Sequence, residues 1–192
     1  MFETLLSNKN MKEQLGSAIK NGTVLHAYMF CGADGTGKLT AATAFAAELV
    51  DDKQKALRMS HPDVIYIRRP EDKTTIPVDT VRDMRADAFI TPTQAARKVY
   101  IIEDAHLLND NGQNALLTIL EQPPSFCIFI LLTESREKIL PTVISRCSIY
   151  DMEYVDEQEG AEFLQKELKK VPLDMLKTYM KAAQGNIGLA KT

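Results

Sequence analysis

Residues 26–40 read His26-Ala27-Tyr28-Met29-Phe30-Cys31-Gly32-Ala33-Asp34-Gly35-Thr36-Gly37-Lys38-Leu39-Thr40. An apolar run enters a glycine-rich turn. It leaves into an alanine-rich stretch in which Leu39, Ala42, Ala46 and Leu49 recur near helical spacing. Between a strand and a helix, Gly32 to Lys38 fits GxxxxGK, a loop that grips phosphate. Gly32, Gly35 and Gly37 let the backbone wrap an anion. The N–H groups and the helix start supply positive potential, and Lys38 would reach the outer phosphates. The next position calls for Ser or Thr, whose hydroxyl binds magnesium, and holds Leu39 instead. Thr40 carries a hydroxyl, but one step along a helix turns a side chain by about 100°. It is a poor substitute at the nucleotide site.

A second pair of acids belongs to the same chemistry. The apolar run Val99-Tyr100-Ile101-Ile102 ends at Glu103-Asp104. Nucleotide hydrolysis needs one carboxylate to order magnesium and a following one to position the attacking water, usually Asp then Glu. Here the order is reversed. Glu103 can hold a magnesium-bound water through its longer arm, while Asp104 is one methylene short of the usual base. A misplacement of about 1 Å costs roughly 100-fold in rate. Leu39 and the reversed acids together predict a site that binds nucleotide weakly and hydrolyses little.

Further short apolar runs frame these elements: Val64-Ile65-Tyr66-Ile67 after the turn His61-Pro62-Asp63, Phe126 to Leu132, and a weaker Ser148-Ile149-Tyr150. Continuous apolar strands of this length suit a parallel sheet covered on both faces. The stripe Ala115, Leu116, Ile119, Leu120 is a helix stopped by Pro123-Pro124. The alternation predicts an α/β fold with a five-stranded parallel sheet flanked by helices. Near residue 155 the pattern changes to two helices, roughly 157–170 and 172–184, and a domain boundary is expected there.

Composition excludes several classes. Apolar residues at 45% and charged residues at 26% rule out a disordered tail. With 23 Lys and Arg against 26 Asp and Glu, bulk charge cannot hold nucleic acid. No run approaches the roughly 20 apolar residues of a membrane span. The start MFETLLSNKN lacks the basic and apolar regions of a signal peptide. Cys31, Cys127 and Cys147 form no CxxC pair and lie at apolar runs, which predicts buried free thiols and a cytoplasmic location.

Several stretches carry a family resemblance: Leu25-His26-Ala27-Tyr28, Lys98 to Ala105, Asn114-Ala115-Leu116-Leu117, Leu120-Glu121-Gln122-Pro123-Pro124, and Leu140-Pro141-Thr142-Val143-Ile144-Ser145-Arg146-Cys147. They resemble the clamp-loader branch of the AAA+ ATPases. His61-Pro62-Asp63 followed by Ile76-Pro77-Val78-Asp79-Thr80-Val81-Arg82 is similar to its delta-prime type rather than its motor subunits. The resemblance covers about residues 4–190.

The resemblance implies a P-loop NTPase core of RecA-like, AAA+ type over residues 1–155. A small all-α lid, present in part, follows over 156–192, and a collar domain is absent. It implies a subunit of a DNA polymerase III (nucleotidyltransferase) holoenzyme that opens a sliding clamp and loads it on primed DNA. Delta-prime is the largely stationary member, with little or no ATPase or polymerase activity of its own. Its partners are motor subunits of gamma/tau type, delta, and, through the assembly, the clamp and primed DNA. A chain ending inside the lid is expected to be a fragment, monomeric by itself.

Residue by residue, Arg146 takes the role of the arginine that enters a neighbour's ATP site in trans. Guanidinium suits it, being always charged and able to bridge two phosphate oxygens. Thr133 falls where the family carries a polar residue that senses the γ-phosphate. Glu121 and Gln122 are read as stabilising the helix end. Gly188 stands where motor subunits have a second sensor arginine. No cofactor is expected to be tightly bound; weak ATP, ADP or a phosphate-like anion would sit at the loop. The family's zinc insert is replaced by Asp51 to Ser60, without cysteine, so no zinc is expected. Two other functions compete. One is an active motor subunit. The other is a small phosphotransferase, which would need an arginine-rich lid, yet residues 156–192 contain no Arg.

Overall fold

A computed structural model describes residue 2 and residues 5–190. Its strands are β1 (Ala27–Cys31), β2 (Val64–Ile67), β3 (Lys98–Ile102), β4 (Cys127–Thr133) and β5 (Ser148–Asp151). They form one five-stranded sheet in the order β2-β3-β4-β1-β5, and every pairing is parallel. The helices are α1 (Lys9–Lys20), α2 (Lys38–Leu49), α3 (Lys53–Leu57), α4 (Val78–Ala88), α5 (Asp110–Glu121), α6 (Pro141–Ile144), α7 (Glu157–Glu167), α8 (Leu173–Ala182) and α9 (Ile187–Ala190).

The period-two alternation of the strands builds two cores, one on each face of the sheet. Tyr28 and Phe30, Val99 and Ile101, and Ile128, Ile130 and Leu132 face α1 and α2. Ala27, Met29 and Cys31, Tyr100 and Ile102, and Cys127, Phe129 and Leu131 face α4, α5 and α6. Helix α2 buries Ala41 to Ala47 without a polar face, which its small side chains permit. On the first face Phe45 meets Tyr28 edge-on with ring centroids 4.9 Å apart. On the second, Tyr100 and Phe129 stack at 5.2 Å. Each such pair adds about 1 kcal/mol beyond the area it buries.

The cysteines follow this packing. Cys31 and Cys127 are buried and Cys147 is half-buried, all as free thiols. Burial pushes the Cys127 thiol up to about 11 and that of Cys147 up to about 12, so neither is a ready nucleophile. No described helix is long and apolar enough to cross a membrane.

Beyond β5 the helices pack on one another through Val155, Ala161, Leu164, Leu176 and Met180. They are shorter than the sequence suggests. Helix α7 stops at Glu167, where Leu168 leaves helical backbone (φ −102°, ψ 58°). Helix α8 stops at Ala182, where Gln184 and Gly185 adopt left-handed backbone (φ 50° and 80°) and close the end. The segment before α1 helps to hold this unit in place. The Ser7 hydroxyl donates to Glu159 Oε2 at 2.7 Å. Asn8, buried beneath, accepts from the Glu153 N–H at 2.9 Å.

Candidate nucleotide cleft and the remote arginine

In an open parallel sheet, ligands bind at the carboxyl ends of the strands where the strand order reverses. Here β1 sits between β4 and β5, so the loop after Cys31 opens at such a point. A cleft of about 740 Å³ lies over it. Asp34 to Thr40, Glu103 and Asp104 line one part. Leu5, Leu6, Val155, Phe163, Ile187 and Gly188 line another. The fold therefore brings most of the expected nucleotide residues together.

Their hydrogen bonds are more telling than their proximity. Lys38 is 7% exposed, and its ammonium donates to the Gly32 carbonyl at 2.6 Å and the Ala33 carbonyl at 2.9 Å. It also meets Asp34 Oδ1 at 3.4 Å. Gly32 thus serves as an internal acceptor and is not among the residues that line the cleft. To hold phosphate, Lys38 must give up these bonds. Leu39 lines the cleft where a metal-binding hydroxyl would be needed. Thr40 was expected to point away; it does line the cleft, at an exposed position.

Glu103 is also engaged. Its carboxylate accepts from the Arg68 guanidinium, which arrives from the end of β2. Arg68 is held in turn over the Tyr66 ring, 5.3 Å from the centroid, and against Met59 Sδ at 3.5 Å. Asp104 lies in left-handed backbone with φ 50° and opens a short 3₁₀ turn, Ala105–Leu107. These residues do not fit a magnesium ion well: one expected oxygen is replaced by a leucine side chain, and one carboxylate is neutralised by an arginine.

Thr133 borders the phosphate loop through its carbonyl, which accepts from the Gly32 N–H at 3.0 Å. It is fully buried, and its hydroxyl donates to the Ser135 carbonyl at 2.9 Å. That is a local cap, and Thr133 is not among the residues that line the cleft. Arg146 likewise lies outside the cleft, on the turn after α6. Its guanidinium donates to the Thr142 carbonyl and to Glu121 Oε1, both at 2.8 Å, and stays about one-third exposed. The guanidinium is thus preset and partly exposed, outside the chain's own cleft. The contact also joins the LEQPP and Ser-Arg-Cys stretches. The segment 51–60 contains α3, capped by Asp52 accepting from the Lys55 N–H at 3.1 Å.

Sequence reasoning missed Arg68 and Asn186. The clue to Arg68 was the basic pair at the end of an apolar strand. The clue to Asn186 was the Gly185-Asn186 turn.

The family described as "DNA polymerase III, delta subunit" matches residues 7–156. The chain belongs to this family. Its resemblance to clamp-loader AAA+ proteins is thereby borne out at the level of the family. Curated relatives are named as gamma and tau subunits of DNA polymerase III. DNA polymerase III subunit tau of Bacillus subtilis is 35% identical over 170 residues, 82% of this chain and 30% of that protein. Subunit gamma/tau of Mycobacterium tuberculosis is 32% identical over 161 residues, 78% of this chain and 28% of that protein. The family member thus spans less than a third of these relatives. Among solved structures, a gamma-subunit-related protein of Thermotoga maritima superposes with TM-score 0.62 at 20% identity, covering 81% of this chain and 53% of that one. The RuvB branch-migration motor of Thermotoga maritima gives TM-score 0.66 at 22% identity, covering 96% and 59%. These two likenesses establish the RecA-like, AAA+ type of P-loop fold.

Proposed function

We propose that this chain is the AAA+ portion of a delta-prime type clamp-loader subunit. It acts as a scaffold that hydrolyses little or no ATP in its own cleft and lends Arg146 to the ATP site of a neighbouring subunit. On this reading residues 1–155 form the core and 156–192 part of the lid. The neighbours are gamma/tau-type motors and delta, acting together on a sliding clamp and primed DNA. The observation that carries the reading is Leu39 lining the cleft where the magnesium hydroxyl belongs. The Arg68–Glu103 pair supports it.

The alternative is an active motor, favoured by the gamma and tau names of the curated relatives. Lys38→Ala in the full-length protein, reconstituted with partner subunits, clamp and primed DNA, separates the two. A scaffold predicts that ATP turnover of the assembly is unchanged. A motor predicts loss of this subunit's share of turnover, because the lysine that grips the outer phosphates is gone.

A further inference from the structure

The segment after α8 folds back onto the phosphate loop. Asn186 is only 3% exposed, and its Nδ2 donates to the Asp34 carbonyl at 2.5 Å. Its Oδ1 accepts from the Leu189 N–H at 3.0 Å, which fixes the side chain at the start of α9. Two residues on, the Gly188 N–H donates to the Gly35 carbonyl at 3.3 Å. The two glycines meet backbone to backbone. A Cβ on Gly188 would lie 2.5 Å from Gly35 Cα, and one on Gly35 would lie 2.2 Å from Asn186 Oδ1. Gly35 is in left-handed backbone with φ 80°, so its conformation also favours glycine.

Taken with Lys38, these contacts occupy four successive loop carbonyls. Gly32 and Ala33 accept from Lys38, Asp34 from Asn186, and Gly35 from Gly188. Half of this set comes from the segment after α8, about 150 residues away in sequence. A loop that wraps phosphate must turn its N–H groups inward and free its lysine. Bonds to the Asp34 and Gly35 carbonyls leave the loop N–H groups free but fix the peptide planes that carry them, so re-aiming those N–H groups toward a phosphate requires the latch to open. The apparent affinity for a polyphosphate then falls by the fraction of molecules in which it is open.

We infer that Asn186 and Gly188 are specificity-determining residues that latch the phosphate loop shut against polyphosphate. This rests on the reading of the cleft as a silent nucleotide site and adds a conformational cause to the chemical one. Gly188 is then more than the lack of a sensor arginine. Its missing side chain is what permits the close approach.

The test uses the full-length protein with Asn186→Ala and, separately, Gly188→Ala. The probe is a fluorescent ADP, titrated with and without magnesium, and hydrogen exchange is read at the Gly188 and Leu189 amides. The expected result is faster exchange at both amides, an unchanged melting temperature of the sheet core, and at least a tenfold gain in ADP affinity in each variant. Folded variants whose affinity equals that of the wild type overturn the latch, whether or not the amides loosen. A wild-type protein that binds Mg-ATP and turns it over defeats the silent-site reading itself. Unchanged variants beside a silent wild type defeat only the latch.

Discussion

Arg146→Ala in the full-length subunit, assembled with its partners, is expected to lower turnover at the neighbouring ATP site by about 10³-fold or more, the scale on which trans arginines act in other NTPases. Phosphoryl transfer builds charge on the equatorial oxygens, and a guanidinium placed there at no reorganisation cost stabilises it. The structure holds Arg146 ready through Thr142 and Glu121 at 2.8 Å each. Arg146→Lys is expected to restore little, since an ammonium cannot reproduce the planar fork. The loss should not come from unfolding. The Arg146–Glu121 pair is partly exposed on both sides, and pairs of that kind contribute at most about 1 kcal/mol. Clamp-stimulated ATPase of the reconstituted assembly, with a thermal melt of the subunit, checks both statements. An unchanged ATPase rate would remove the arginine from the mechanism.

Asp63→Ala is expected to destabilise the fold by about 3 kcal/mol, roughly two orders of magnitude in the folding constant. Asp63 is fully buried at the start of β2. Its carboxylate accepts from the N–H groups of Thr93, Gln94 and Ala95 at 2.6, 2.7 and 2.8 Å. Its own carbonyl accepts from the Val99 N–H at 2.8 Å, so one residue fixes both the loop before β3 and the register of β3. Hydrogen bonds to a charged group are worth about 1.5–3 kcal/mol each. Thr93 and Gln94 are exposed, so water replaces part of the loss.

Asp63 also gives an acid sensitivity of defined sign. Burial alone would raise its pKa. The three N–H donors outweigh burial and hold it below the usual carboxylate range. A depressed folded-state pKa means that the unfolded chain takes up the proton first. The stabilisation is therefore complete above the unfolded value near 4 and disappears as pH falls through the lower folded value. Urea unfolding at pH 7 and at successively lower pH should show this loss in the wild type. Asp63→Ala should lack that component of the pH dependence and already be the weaker protein at pH 7.

The sheet was legible because its signals are local. Each strand is a short apolar run ending in a turn, and the glycine loop announces itself in eight residues. Leu39 and the reversed Glu103-Asp104 were legible for the same reason. What escaped depends on register and on long separations. Arg68 meets Glu103 because β2 lies beside β3, with Ile67 opposite Ile102, and no spacing in the chain reports that. Asn186 reaches Asp34 across 152 positions. Glu121 and Arg146 were both visible in their motifs, yet their pairing needs the ends of α5 and α6 to converge. For Thr133 the position at a strand end was readable. The direction of its hydroxyl was set by the turn through Ser135, which propensity does not encode.

On the proposed function, this chain's own cleft does no ATP chemistry. The most direct test is equilibrium titration of the full-length subunit, free of partners, with ATP in the presence and absence of magnesium, followed by an assay for released phosphate. The expected result is weak binding that magnesium does not strengthen, and no turnover above background. Tight, magnesium-dependent binding with steady release of phosphate would contradict it.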